Sequence, residues 1–304
     1  MELLAKIQLN SSPSNIIELQ DGNLALTIKN STIIMNKDTY QIKESLNNHE
    51  KEINRILETK NRKLITISAD KTLVVNELDE NNHYKLLQRI NEPGKINSII
   101  ELSTEDILTC NCDERMRTYK YNKEKNIYEL NNTYKINELI THVVELKKGK
   151  VLIMTFHGDD NLIKIYSFDL NKKKIEKILL SHSSILWNNH ESILNLSDKF
   201  ALINLFNCII VIDKENISIV QEFSLIKKDF ISVMGLFKDN KSIIFSSLRG
   251  NNFLWECNEE GIWESKDDID ISILKDNKIE CYFKTSKGKL LVGIEKGLNI
   301  FDIK

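Results

Sequence analysis

Seven copies of one small β-unit run through this 304-residue chain. They predict an all-β fold, a seven-bladed β-propeller of four-stranded antiparallel blades. Three observations carry the prediction: a repeated turn at near-constant spacing, short β-type runs on both sides of each turn, and a spare strand at the N-terminus. Periods in this range mark architectures assembled from one supersecondary unit laid side by side.

The repeated turn enters the second strand of each copy. It reads Leu19-Gln-Asp-Gly-Asn-Leu24, Leu57-Glu-Thr-Lys-Asn-Arg-Lys-Leu64, Leu102-Ser-Thr-Glu-Asp-Ile107 and Leu146-Lys-Lys-Gly-Lys-Val151. It continues as Leu196-Ser-Asp-Lys-Phe200, Phe237-Lys-Asp-Asn-Lys-Ser-Ile243 and Ser286-Lys-Gly-Lys-Leu290. Second strands therefore start at 24, 64, 107, 151, 200, 243 and 290, spaced by 40, 43, 44, 49, 43 and 47 residues. A four-stranded blade needs roughly 40–45. The strands themselves are runs of Ile, Val, Leu and Thr bounded by Asn, Asp, Gly and Lys, such as Leu64-Ile-Thr-Ile-Ser68 and Leu73-Val-Val75. No segment holds a helical period.

The last copy ends after its third strand, Leu298–Asp302, and Leu3–Leu9 precedes the first copy as an extra strand. Pairing the N-terminal strand into the last blade would remove two exposed sheet edges at once. The copies fill residues 1–304, so one propeller domain is expected.

Composition narrows the function classes. The net charge is −2, with 41% hydrophobic and 28% charged residues. That gives no broad electrostatic reason to expect nucleic acid or an anionic membrane surface as partner. No apolar run approaches the ~20 residues of a membrane span. Glu2 and the lack of a long apolar stretch behind it argue against a secretory signal. The five cysteines, 110, 112, 208, 257 and 281, show no disulfide framework and predict reduced thiols in the cytoplasm. Cys110 and Cys112 alternate on one strand and are expected to face the same core; the further ligands of a zinc site are missing.

The second copy resembles a WD repeat. His49 stands where that family has the His of its Gly-His pair, with Asn48 in the Gly place. Ser68 and Asp70 take the Ser and Asp places at the end of the second strand, and Asn76-Glu77 stands for the Trp-Asp pair. Elsewhere Asp113 and Asp160 fill the Asp place, Glu92 the His place, and Trp255-Glu256, Ile212-Asp213 and Phe301-Asp302 are versions of the closing pair. The chain is similar to a divergent WD-repeat propeller over its whole length as a pattern, and in one copy as a motif. The resemblance implies a structural staple, with Asp70 accepting from His49 and with His49 and Ser68 fixing the loop between blades. The rival, a Ser/His/Asp catalytic triad, has neither oxyanion donors nor a nucleophile turn beside it.

Other groups read as surface. Arg249-Gly250 has one Arg where phosphoinositide-binding propellers carry a pair; Asp267, Asp268 and Asp270 lack the spacing of a calcium loop. Lys172–Lys174 is a basic turn. The irregular stretch holding Trp187 and His190, in the longest interval, is a candidate protein-binding surface, and Trp263 is a second candidate for an exposed ring. The expected function is a non-enzymatic scaffold for other proteins in a multiprotein complex, with no cofactor, metal or catalytic residue. The alternatives are a hydrolase-type propeller enzyme with an acid/base or metal cluster at its channel, and a phosphoinositide-binding propeller.

Overall fold

The computed structural model describes residues 2–303 except 158–161, 184–191, 196, 198, 206–207, 225–230, 238–241, 248–250, 259–261 and 266–277. Every regular element among the described residues is a strand.

The chain opens with β1 (Glu2–Gln8). The first blade is β2 (Asn15–Glu18), β3 (Leu24–Ile28), β4 (Ser31–Met35) and β5 (Ile42–Leu46). The second is β6 (Ile53–Glu58), β7 (Leu64–Ser68), β8 (Thr72–Leu78) and β9 (Tyr84–Asn91). The third is β10 (Ile96–Glu101), β11 (Ile107–Asn111), β12 (Arg115–Asn122) and β13 (Ile127–Lys135). The fourth is β14 (Leu139–Lys147), β15 (Lys150–His157), β16 (Leu162–Asp169) and β17 (Lys174–Ser183). The fifth is β18 (Ser192–Asn195), β19 (Phe200–Asn204), β20 (Cys208–Asp213) and β21 (Ser218–Ser224). The sixth is β22 (Ile231–Phe237), β23 (Ser242–Ser247), β24 (Asn252–Cys257) and β25 (Trp263–Ser265). The seventh takes β26 (Ile279–Lys284), β27 (Lys289–Ile294) and β28 (Gly297–Asp302), and its fourth strand is β1. Each sheet is ordered as a simple antiparallel meander, and the chain is a seven-bladed β-propeller.

The closing pair runs from Glu2 opposite Asp302 to Gln8 opposite Gly297, with a bulge at Leu4. This is the pairing the spare N-terminal strand implied.

Contacts divide the chain into two units, Leu19–Trp187 and the remainder. Within Leu19–Trp187, the first strands β6, β10 and β14 pack on one another, so they are inner strands and the fourth strands are outer. Second strands are buried on both faces: β7 and β11 have no exposed residue. That explains their continuous apolar runs, because a strand covered by sheets on both sides has no polar face to alternate with. Outer strands such as β9 are mostly exposed beyond their first residue. The core lies between blades. One cluster joins Ile65, Ile67, Leu73 and Val75 of blade 2 to Ile99, Ile107, Tyr119 and Tyr128 of blade 3. In the other unit, Leu202, Ile209 and Val211 meet Met234, Ile243, Phe245 and Trp263.

Two bulges recur. One falls between first and second strands, at Ile53/Arg55, Ile96/Ser98 and Ile140/His142. The other falls between third and fourth, at Val75/Asn76, Thr118/Tyr119 and Ile165/Tyr166. Each inserts an extra residue into one strand and shifts its register against the partner.

Cys110 is buried as expected, but Cys112 is exposed. The alternation stops because β11 ends at Asn111 and Cys112 begins the turn, where its amide donates to Lys95 O.

Candidate functional site

The staple residues of blade 2 come together. His49 Nδ1 lies 3.0 Å from Asp70 Oδ2, and Nε2 lies 2.8 Å from the Thr66 hydroxyl. Burial outweighs the pull of Asp70 and holds the imidazole below its ordinary pKa, so the ring is neutral. A neutral ring donates from Nδ1 to Asp70 and accepts at Nε2 from Thr66; the contact is a hydrogen bond rather than an ion pair. Asp70 sits in the turn between β7 and β8. It also accepts from the Glu50 amide at 3.0 Å, the Thr72 amide at 2.9 Å and the Thr72 hydroxyl at 2.6 Å. Burial pushes its carboxyl up, but these donors outweigh it and bring the pKa to about 2. Ser68 donates to Lys51 O at 3.0 Å and accepts from the Asp70 amide at 3.0 Å. It does not touch His49, so no nucleophile–base contact of a triad exists in this cluster.

Acid should loosen this knot. Asp70 has a depressed folded pKa, so its contribution is present above its ordinary 3.8 and lost as pH falls toward 2. His49 is depressed too, so its contribution begins to fall as pH drops below 6.5. Asp70→Ala is expected to cost about 3 kcal/mol at pH 7, the scale for stripping a buried acceptor from several donors. In denaturant titrations the gap between wild type and this variant should narrow between pH 4 and pH 2; a constant gap would contradict the assignment.

Thr66 belongs to the network, and its place in the chain recurs. Thr66, Thr109 and Thr155 each follow by seventeen residues an acceptor group: His49, Glu92 and Glu138. In blade 3 Glu92 accepts from Tyr119 Oη, from Thr109 at 3.3 Å and from Arg117 at 3.1 Å. Arg117 also pairs with Asp113 at 2.5 Å. In blade 4 Glu138 takes Thr155 at 2.5 Å, Lys164 at 2.6 Å and Tyr166 at 2.9 Å. Where His gives way to Glu, a cation appears on the third strand at the register of Val74, which keeps the buried acid paired. Asp159 and Asp160 lie outside the described residues.

A second ladder ties blades at the inner turns. Glu18 accepts from the Ser286 amide at 2.6 Å, Glu58 from Gln20 at 2.6 Å, Glu101 from Lys60 at 3.0 Å and Glu145 from Ser103 at 2.7 Å. The sequence signal is an apolar pair followed by Glu, as in Ile16-Ile17-Glu18 and Val143-Val144-Glu145. On the same strands, Asn54 donates to Ile96 O at 2.6 Å and Asn97 to Ile140 O at 2.8 Å.

At the outer strands the expectation for Trp263 is corrected. The ring is 3% exposed and packs in the cluster with Phe245 and Met234. It opens β25 as Tyr84 opens β9, and all these aromatics, Tyr128 included, are buried. Gln221 grips the Trp263 backbone, accepting from N at 2.9 Å and donating to O at 3.1 Å; Gln88 grips Tyr128 in the same way. Trp263, Tyr84 and Tyr128 stand opposite Cys257, Leu78 and Tyr121 late in the third strand, and there the ring is buried between blades. Trp187 and His190 lie outside the described residues, as do Arg249, Gly250, Asp267, Asp268 and Asp270.

The outer strands expose another row. Ile42, Leu86, Leu130 and Ile178 are 54%, 49%, 58% and 62% exposed. They occupy one register, opposite Met35, Asn76, Tyr119 and Tyr166 at the recurrent bulge. Among the described residues no three His, Cys, Asp or Glu side chains are grouped to hold a metal. Among the described residues no helix is long and apolar enough to cross a membrane.

No family model matches the chain, and no curated protein sequence matches it. Among solved structures it is similar to U3-55K, with a TM-score of 0.75 over 100% of both chains at 11% identity. At that identity the likeness concerns the fold: this chain shares a propeller architecture with a protein of very different sequence.

Proposed function

We propose that this chain is a divergent WD-type propeller serving as a non-enzymatic scaffold for other proteins in a multiprotein complex of the cytoplasm. The observation that carries the reading is the exposed apolar row Ile42, Leu86, Leu130 and Ile178. Single exposed apolar residues are ordinary, but a same-register series on consecutive edge strands is a surface available for burial against a partner. The strands bearing it are held by clamps between blades, at Glu44 to the Tyr84 amide (3.1 Å) and Gln88 to Tyr128. A fixed backbone lowers the ordering cost of association. The His49–Asp70–Thr66 knot supports the WD-type reading, since it occupies the place that resemblance assigns to a staple. The five free cysteines suit a reducing compartment.

The test is a rim variant, Leu86→Glu with Leu130→Glu. Both side chains are exposed, so stability should change by no more than about 0.5 kcal/mol per site. Quantitative mass spectrometry of complexes recovered from the native cell should show partners retained by wild type and depleted at least roughly ten-fold by the variant, the cost of charge in an apolar interface core. An unchanged partner set would remove the rim from the proposal.

A further inference from the structure

Arg55 and His142 stand at one register of the inner strands β6 and β14, opposite Ile67 and Met154, just after the recurrent bulge. Ser98 holds that register on β10 between them. The guanidinium of Arg55 reaches past blade 3 and lies 2.8 Å from His142 Nε2, while its other arm donates to Asn54 O at 2.9 Å. A guanidinium only donates, so His142 Nε2 must accept and the proton sits on Nδ1. That Nδ1–H is buried without a partner.

The remaining Arg55 guanidinium N–H groups and the His142 Nδ1–H are therefore donors. No carboxylate among the described residues comes within ion-pair reach of Arg55. Three other cations of the same unit each have one: Lys63 with Glu77 at 2.7 Å, Arg117 with Asp113 and Glu92, Lys164 with Glu138. Both side chains keep some open surface, yet protein surrounds them closely enough that burial lowers the Arg55 pKa, and burial together with the Arg55 charge drives that of His142 well down. An enclosed cation with no counter-charge is costly, and so is an orphaned donor beside it. One ligand relieves both costs. A planar fork of N–H groups matches the two oxygens of a carboxylate or phosphate.

We propose that Arg55 and His142 form a receptor for a small oxyanion, carboxylate or phosphate, on the inner-strand face of blades 2 to 4. The anion accepts from the free guanidinium N–H groups and from His142 Nδ1–H. The site is independent of the rim.

The full chain is titrated by isothermal calorimetry with inorganic phosphate and, separately, with succinate, in chloride buffer at constant ionic strength. Saturable binding of one equivalent by either probe is expected, and the arm that binds identifies the oxyanion class. Arg55→Gln should weaken it roughly ten- to a hundred-fold, the loss expected for a charge-assisted hydrogen bond. Without anion this variant should melt no lower than wild type, since it sheds an uncompensated charge. His142→Phe, which removes the Nδ1–H donor, gives a second reading and should weaken binding several-fold. Absence of saturable binding in both arms overturns the proposal. So does unchanged affinity in both variants.

Discussion

Deletion of residues 1–8 is expected to abolish the cooperative fold of the chain. β1 supplies six register partners to β28, from Glu2 opposite Asp302 to Gln8 opposite Gly297. Its removal turns β28 into a bare edge carrying Leu298, Ile300 and Phe301, all fully buried in the intact protein. Each strand-to-strand hydrogen bond contributes about 1 kcal/mol net, and the apolar contact supplied by the half-buried Leu3, Ala5 and Ile7 is lost besides. The loss is roughly 5 kcal/mol or more, comparable with the whole stability of an ordinary domain. Circular dichroism melts should show a low or absent transition, and size-exclusion chromatography should show self-association through the new edge. A synthetic peptide of residues 1–12 should restore the transition in proportion to its concentration, because strand addition rebuilds the same ladder. A truncated chain that melts within a few degrees of full length would mean β28 does not depend on β1.

Much of this was legible in the sequence because propeller strands are local. The turn anchors at Leu24, Leu64, Ile107 and Phe200 are the first residues of β3, β7, β11 and β19, and Val151, Ile243 and Leu290 miss by one. What escaped notice is long-range. Glu58 and Glu101 have backbone amides about forty residues back as partners, a separation no local pattern marks. Thr66 reads as an ordinary strand former until His49 Nε2 is placed on it. Trp263 reads as a candidate for an exposed ring; only the side-by-side blades reveal that it is buried between them. Arg55 and His142 are isolated basic residues in apolar runs, and nothing in their spacing announces that one spans a blade to reach the other.

Substitution of Arg117, enclosed between Glu92 and Asp113 in the third blade, is expected to be costly. Glu92 has 1% side-chain exposure and Arg117 8%, so the pair is enclosed, and Asp113 shares the guanidinium at 14% exposure. Burial raises the Glu92 carboxyl even with Tyr119, Arg117 and Thr109 opposing it. At Arg117 burial pulls the other way, yet Asp113 and Glu92 more than offset it and the guanidinium stays charged. Arg117→Met removes the only cation within reach of Glu92 among the described residues and leaves two hydroxyls to hold a buried charge. The expected cost is about 3–5 kcal/mol at pH 7. A raised folded pKa stabilises below the unfolded value and loses that benefit as pH rises through the folded one. The variant should therefore recover part of its deficit between pH 7 and pH 5, as Glu92 takes up a proton. Glu92→Gln in the same chain should restore much of the loss at pH 7, since a neutral amide needs no counter-charge. Asp113 keeps Arg115 at 3.4 Å in either variant. A denaturant-based double-mutant cycle should give a coupling of at least about 2 kcal/mol. Additive single effects would show that the two side chains are neighbours without being partners.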